Sequence, residues 1–345
     1  DARGAAAPDA LRRWTEELTG KLLASADQRQ LLAGIELSGA LKVASMRKKL
    51  VAKAVARDLP EGHRRAAVVA LVRIDPRGHV DVLGRLLEDG AEPFGLREQA
   101  ANSLGEVNQP AARAELLKSL PNAPAPLQIV IAANLVRSPE GAEKLLEAVA
   151  AGKASARLLQ ERAVQIRLAH RGVPNLEARL ALLTKGLPPA DQRLNEFMQK
   201  RKTGFFSAKT DASVGGKVFE KNCAICHQLG GKGTKIGPQL DGIGSRGLDR
   251  LLEDLIDPNR NVDQAFRATT LNLTNGQTIT GLVLREEGQV VILADNQGKE
   301  VRVNKKSIEE RLVSQLSPMP ANLVDQIAEA DFYHLMAFLL GQRAK

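Results

Sequence analysis

Paired leucines recur at an even spacing in the N-terminal half of this chain and restrict its fold more than any other feature. The pairs begin at Leu86, Leu116 and Leu145, which lie 30 and 29 residues apart. Each pair follows a stretch, at 63–74, 96–107 and 127–136, in which apolar residues recur three or four positions apart, as they do on one face of a helix. The pattern therefore predicts three successive pairs of helices.

Prolines mark the turn within each predicted pair: Pro76, Pro110 and Pro139 fall near the start of the second helix, where proline suits the first turn. Only 3% of the 345 residues are aromatic, which favours helices packed through small and branched aliphatic side chains. We predict an α-solenoid similar to HEAT repeats over residues 8–205, with an irregular helical bundle as the alternative. Such a domain supplies surface for contacts rather than chemistry.

The pattern changes after the polar segment 200–212, which contains the isolated pair Phe205-Phe206. We predict a linker at 206–212, with the two rings packed against one domain or bridging both. Short helices follow at 214–221 and 248–256, and the chain ends in a helix. One face of that helix carries Phe332, Leu335, Met336 and Leu339. A second domain is therefore predicted over residues 213–345.

Within this second domain, residues 268–304 alternate as antiparallel strands do. We predict strands at 269–273, 278–284, 289–294 and 300–303. Asn275-Gly276 is a strong hairpin signal, and 296–298 is a second turn. The chain is thus predicted to be mainly α, with a small antiparallel β insertion in its C-terminal domain.

The pentapeptide Cys223-Ala224-Ile225-Cys226-His227 contains both cysteines of the chain. Two thiols separated by two residues can reach the two vinyl groups of a porphyrin from one short helical turn, and the next imidazole then lies over the iron. The motif predicts one covalent haem c, with Cys223 and Cys226 as thioether anchors and His227 as the proximal iron ligand. Because haem is attached to such proteins outside the cytoplasm, we expect a periplasmic location.

Other uses of two cysteines at this spacing fit the sequence less well. A zinc site needs four ligands, and the sequence has no second Cys/His pair. A thioredoxin-like redox pair needs a βαβ setting, whereas Gly-rich loops and short helices flank this motif. No paired carboxylates, nucleophile–base pair or phosphate loop indicates a catalytic residue elsewhere.

Met319 is the predicted sixth ligand of the iron. It lies between Pro318 and Pro320 in a stiff, extended segment, which is not how a core helix or strand is built. Met336 lies on an apolar helix face, where methionine usually fills a core. A His–Met pair leaves no open position on the iron and suits electron transfer. The remaining candidates are Met46 and Met198 in the helical region and His334 in the last helix.

The order of these motifs resembles the planctomycete-type haem-binding domain, a class I cytochrome c-like fold with a β insertion that commonly follows HEAT-like repeats. The resemblance covers the C-terminal domain and departs from the family at Pro318, where an aliphatic residue is expected. Its motifs are the Asn-Cys-x-x-Cys-His run at 222–227, Gly-Pro-Gln-Leu at 237–240, Ile-Asp-Pro-Asn at 256–259, and Met319-Pro320.

The resemblance implies roles for further residues. The carbonyl of Pro238 would accept the Nδ1 proton of His227 and so fix the orientation of the ring. The helix that contains Gly216 and Phe219 would pack these two residues against the C-terminal helix. Independently of the resemblance, Arg246 lies in a Gly-rich loop and is a candidate contact for a haem propionate, with a solvated arginine as the alternative.

Partners follow from the resemblance and from charge. Many relatives carry an upstream β-propeller that resembles quinoprotein glucose or sorbosone dehydrogenases, and the start at Asp1 fits a processed protein or a piece of a longer one. The net charge of the chain is +9, and the residues before Asp211 carry +10, since residues 211–345 carry 16 Lys and Arg against 17 Asp and Glu. Without a recognisable motif and stacking aromatics, this charge predicts no nucleic-acid binding and fits an acidic protein partner.

We therefore expect a periplasmic monohaem cytochrome that passes single electrons, as the accepting module of a fused or partner sugar or alcohol dehydrogenase. Two alternatives stay open: a haem enzyme or sensor with an open or labile sixth position, and a helical-repeat scaffold with an accessory haem. The sequence contains no apolar run of about 18 residues, so no membrane span is expected.

Overall fold

The computed structural model describes residues 9–275, 277–295 and 298–343. Within these ranges it contains fifteen α-helices and seven β-strands, and none of the helices is both long and apolar enough to cross a membrane. The chain divides into two compact units. The first runs to Leu158 and adds Arg167–Leu183 and Asn272–Ile279, and the second comprises Leu159–Ile166, Thr184–Leu271 and the residues from Thr280 onward.

The first unit is built from pairs of helices. They are α1 (Asp9–Leu23), α2 (Gln28–Ala40), α3 (Arg47–Val55), α4 (Glu61–Ile74), α5 (Val80–Glu88), α6 (Phe94–Val107), α7 (Pro110–Ser119), α8 (Ala125–Leu135) and α9 (Pro139–Ala150). The chain continues with α10 (Arg162–Ala169) and α11 (Leu176–Leu183). Helices α2, α4, α6 and α8 contact one another in succession, and α5, α7 and α9 do the same in a second layer. This two-layer stack confirms the predicted α-solenoid.

The turn prolines behave as predicted at two of three positions. Pro110 and Pro139 are the first residues of α7 and α9, whereas Pro76 lies four residues ahead of α5. Proline suits the first helical position because its missing N–H would have no intrahelical acceptor there. The residues after Pro76 form a short turn in which the Asp75 carboxylate accepts the backbone N–H groups of Arg77 and Gly78.

A repeated arginine contact joins successive helices of this stack. Arg64 Nε donates to the carbonyl of Ala54, and Arg97 Nε donates to the carbonyl of Leu87, both at 2.9 Å. Donor and acceptor both shift by 33 positions between the two contacts. Both guanidinium groups are buried, and each satisfies a carbonyl near a helix end that has no intrahelical donor.

Small residues let the helices approach closely, as the composition indicates. A Cβ added to Gly39 would lie 2.8 Å from the Cα of Ala70, so α2 and α4 pack backbone to backbone at this point. Ala66, Ala67 and Ala70 of α4 are all buried. The scarcity of aromatic residues is therefore matched by a core of alanine and leucine.

The second unit packs four helices around one apolar cluster. They are α12 (Ala190–Ser207), α13 (Ala212–Asn222), α14 (Gly247–Ile256) and α15 (Glu329–Gly341). Helices α13 and α15 share the most extensive contact, in which the rings of Phe219 and Phe338 lie 5.7 Å apart. The predicted apolar face of α15 is buried at Phe332, Leu335, Met336 and Leu339.

The second unit begins earlier in the chain than the predicted domain boundary. Helix α12 continues to Ser207, so the non-helical connection to α13 spans only residues 208–211 of the predicted linker. Leu194, Phe197 and Phe205 of α12 pack against the apolar cluster of the second unit, which explains why this helix belongs to it. Of the predicted aromatic pair, only Phe205 packs in this way, and Phe206 is 71% exposed.

A five-stranded sheet forms the β insertion. Two short antiparallel strands, β1 (Gln228–Leu229) and β2 (Lys232–Gly233), precede it in the chain. The strands of the sheet are β3 (Thr269–Leu273), β4 (Thr278–Glu287), β5 (Val290–Ala294), β6 (Glu300–Asn304) and β7 (Ile308–Val313), in the order β6-β5-β4-β3-β7. β4 pairs with β5, and β5 with β6, in antiparallel register. The sequence predicted the first four strands but missed β7, so the insertion extends beyond residue 304. The predicted turn residues Gly276, Asn296 and Gln297 lie outside the described residues.

Candidate functional site

The pentapeptide 223–227, called the attachment turn below, forms one helical turn directly after α13. The N–H of Cys223 donates to the carbonyl of Phe219 at 2.8 Å, which continues the helix, and the N–H of His227 donates to the carbonyl of Cys223 at 2.9 Å. The following loop folds back, so that Thr234 and Gly237 donate to the carbonyls of Ala224 and Cys226. Both cysteines and His227 are therefore held on one backbone turn.

Burial makes both thiols of this turn poor nucleophiles. Burial raises the pKa of Cys223 to about 12. The pKa of Cys226 is also raised, chiefly by burial and further by the negative charge of Asp295. A redox-active dithiol needs a lowered thiol pKa to supply the reactive thiolate, so this environment argues against thioredoxin-like chemistry. Among the described residues, no three His, Cys, Asp or Glu side chains gather as a metal-ion site.

The ring of His227 is oriented by the loop that follows it. Its Nδ1 lies 2.8 Å from the carbonyl oxygen of Pro238. Because a carbonyl oxygen only accepts, Nδ1 carries the proton, and Nε2 keeps its lone pair. Burial lowers the pKa of His227, opposed by the hydrogen bond to Pro238, so the imidazole is held in its neutral, ligand-competent form.

Gly237 allows the loop to come this close to the imidazole. A Cβ at this position would lie 2.8 Å from Cε1 of His227, closer than side-chain atoms approach one another. The sequence analysis predicts a role for the Pro238 carbonyl in this motif and none for Gly237. The contact shows that the glycine is needed as well, since any other residue would push the ring or the loop away.

Met319 packs against the apolar cluster that contains Cys223. This cluster, named the site cluster below, is formed by buried residues of α13, α14, α15 and the segment 323–327, and Ala224 and Leu240 also pack against it. Met336 is a fully buried member of its core, and Met198 packs at its edge. The structure thus brings the predicted anchor and the predicted sixth ligand to one apolar region, while the ligand role of Met319 stays a prediction.

The two remaining candidate residues have other partners. His334 Nδ1 accepts the backbone N–H of Asp211 at 2.9 Å, which ties α15 to the start of α13. Arg246 lies in a 3-10 turn, is exposed, and pairs with Asp254 at 3.3 Å between Nη2 and Oδ2. Its predicted contact with a propionate stays a prediction, and the ion pair is a partner that the sequence did not indicate.

Gly215 lies at the crossing of α13 and α15 together with Gly216 and Phe219. Gly215, rather than Gly216, lies at the closest approach of α13 and α15, where an added Cβ would overlap the carbonyl oxygen of His334. Two adjacent glycines in a helical pattern are unfavourable unless packing requires one of them. The two adjacent glycines in the sequence therefore indicate a close helix crossing, but they do not show which of the two lies at the closest approach.

These residues fit a covalently attached haem. The attachment turn offers two thiols and an imidazole with an available Nε2, and the site cluster offers apolar surface and a thioether from Met319. The chemistry of the donor set therefore agrees with haem c and disagrees with a zinc or dithiol site.

Comparison with known proteins supports both halves of this description. Residues 49–135 match the family of HEAT repeats, and residues 212–291 match the cytochrome c family. The chain therefore contains HEAT repeats followed by a cytochrome c domain, which indicates haem binding and an electron-transfer role. Met319 and α15 lie beyond the matched residues.

A stretch of 162 residues is 28% identical to endonuclease MutS2 of Exiguobacterium sibiricum. This similarity covers 42% of the present chain and 20% of that protein. The chain thus spans only about a fifth of the length of this relative. At this identity and coverage the similarity carries no functional argument.

Proposed function

We propose that this chain is a periplasmic monohaem c-type cytochrome that passes single electrons. The observation that carries the proposal is the geometry at His227, whose Nδ1 is engaged by the Pro238 carbonyl while Cys223 and Met319 share the site cluster. An imidazole fixed in this tautomer presents Nε2 as a ligand. The periplasmic location is supported by the extracytoplasmic attachment of haem to such motifs.

In this proposal Cys223 and Cys226 hold the haem through thioether bonds, and His227 and Met319 ligate its iron. When bound, haem supplies a one-electron ferric–ferrous couple. The chain sets the properties of that couple. The Pro238 carbonyl raises the basicity of His227. Met319, as a ligand in place of a second imidazole, favours the reduced state of the iron, and the site cluster keeps water away from the haem.

The proposed electron source is a sugar or alcohol dehydrogenase, either as a domain of the same polypeptide or as a separate partner. The resemblance stated above supports this source, as does the order of HEAT repeats and cytochrome c domain. The residues before Asp211 carry the positive excess of the chain, which suits docking to an acidic protein surface. If the chain were instead a helical-repeat scaffold with an accessory haem, no electron exchange with such a dehydrogenase would be detected.

Matched methionine variants test the iron ligation directly. In the oxidised protein, Met–iron ligation gives a weak charge-transfer band at the red edge of the visible spectrum. We expect Met319→Leu to lose this band and to bind cyanide and CO rapidly. Met336→Leu, a swap of similar volume in the core of the same cluster, should keep the band. A wild-type protein without the band that binds CO rapidly would instead support the haem enzyme or sensor.

A further inference from the structure

The segment 257–260 after α14 forms a turn around a buried carboxylate. Asp257 is 5% exposed, and its carboxylate receives Nε and Nη2 of Arg162 at 3.3 and 3.0 Å. Arg260 Nε donates to the same carboxylate at 3.0 Å, and its backbone N–H donates to the Asp257 carbonyl at 3.0 Å. Two guanidinium groups therefore compensate the buried charge and fix the turn.

This turn presents Asn259 to a distant part of the chain. Asn259 is 8% exposed, and its Oδ1 accepts the backbone N–H of Ser317 at 2.8 Å. Pro258 precedes it and restricts the backbone on both sides. The backbone around Asn259 is thus restricted at the point where its side chain meets Ser317.

The methionine segment, residues 317–320, depends on side chains for its backbone hydrogen bonds. Pro318 and Pro320 have no N–H, so the segment has two donors. The Ser317 N–H donates to Asn259, and the Met319 N–H donates to Oγ of Ser317 at 3.1 Å. Just before the segment, the carbonyl of Leu316 accepts the N–H of Ala268 at 2.7 Å.

We propose that Asn259 is a positioning residue for Met319. By fixing Ser317, whose hydroxyl in turn holds the Met319 backbone, it keeps the methionine side chain against the site cluster. Asp257, with Arg162 and Arg260, holds the turn that aims Asn259. The inference rests on the proposed function, in which Met319 ligates the iron, and it gives the Ile-Asp-Pro-Asn motif at 256–259 a physical role.

Asparagine variants test this role with the full-length, haem-loaded protein. Asn259→Ala removes the acceptor of the half-buried Ser317 N–H, which should shift the equilibrium between iron-bound and released Met319 by up to about tenfold toward the released form. We expect the Met–iron band to weaken and added imidazole to bind tighter by the same factor. Asn259→Asp keeps an acceptor oxygen and should retain the band. The matched control is Asn261→Ala at a neighbouring exposed asparagine, which contacts Glu253 instead.

The outcomes separate the inference from the function on which it rests. Suppose that the Met–iron band of the wild type disappears in Met319→Leu but persists in Asn259→Ala, with unchanged imidazole affinity. This result overturns the positioning role and leaves the proposed function intact. A wild-type protein without the band overturns both. If Asn259→Ala does not fold, Ser317→Ala tests the second link of the proposed arrangement, the bond from the Met319 N–H to Oγ of Ser317, and an unchanged band with unchanged imidazole affinity there also overturns the positioning role. Thermal unfolding of each variant distinguishes loss of ligation from loss of fold.

Discussion

Gly215 in α13 lies directly against the backbone carbonyl of His334 in α15, so closely that a Cβ atom would overlap the oxygen. This contact sets the distance between α15 and α13, the helix that leads into the attachment turn. The same crossing carries the Phe219–Phe338 ring contact at 5.7 Å. The position of the attachment turn relative to the site cluster therefore depends on residue 215 being a glycine, which has no Cβ atom.

Replacing this glycine should destabilise the cytochrome domain. We expect Gly215→Ala to lower the free energy of unfolding by about 1–3 kcal/mol, because the helices must separate to admit the methyl group. Gly216→Ala is the control, since its Cβ would lie 3.4 Å from the Phe338 ring, an ordinary contact. It should be neutral or stabilising by up to about 1 kcal/mol through helix propensity. Urea unfolding of both variants checks the prediction, and equal effects would contradict it.

A buried ion pair in the HEAT repeats gives a second prediction. Arg64 Nη1 and Glu92 Oε2 lie 2.6 Å apart, with the side chains only 3% and 5% exposed. Glu92→Ala leaves a buried guanidinium without its counter-charge, which should cost about 3–5 kcal/mol. Glu88→Ala breaks the exposed Lys118–Glu88 pair between α7 and α5 and should cost about 0–1 kcal/mol. Circular dichroism during urea unfolding measures both, and a similar loss in the two variants would refute the assignment.

Glu161 in the second unit should make stability depend on pH. Burial raises the pKa of its carboxyl above the ordinary 4.5, and the Arg193 guanidinium 3.9 Å away opposes this only in part. The folded chain therefore holds a proton that the unfolded chain releases at lower pH. The resulting stabilisation is complete below the ordinary pKa and is lost as the pH rises through the raised value.

The variant Glu161→Gln removes this titration. We expect it to match the wild type at low pH and to become more stable than the wild type toward neutral pH. Unfolding temperatures measured between about pH 4 and pH 8 check the trend, with Glu177→Gln on the exposed surface as the control. A stability difference that stays constant across this range would contradict the prediction.

The repeat domain and the attachment turn could be predicted because their signals are local. Paired leucines, helical spacing and turn prolines each act within a few residues, and the stack of α4 to α9 follows from them. The pentapeptide likewise needs only one helical turn. The surroundings of the pentapeptide are not local in the same way. The contact of Gly237 with the His227 ring is made by a loop ten residues farther along the chain.

The parts that the sequence missed depend on pairing between distant segments. Strand β7 carries charged residues at three of its six positions and lies beside β3, the first strand of the sheet, so no local hairpin signal predicts it. Helix α12 joins the second unit because Phe197 and Phe205 meet the site cluster. Asn259 and Ser317 are 58 residues apart, and no local pattern links an asparagine to a remote backbone N–H.

The mass of the mature polypeptide tests the central claim most directly. The chain should be produced in a host that attaches haem to periplasmic cytochromes, purified, denatured and treated with a thiol-alkylating reagent. The account predicts a coloured protein whose polypeptide gains the mass of one haem and takes up no reagent at Cys223 or Cys226. A colourless protein with the unmodified polypeptide mass and two alkylated cysteines would contradict it.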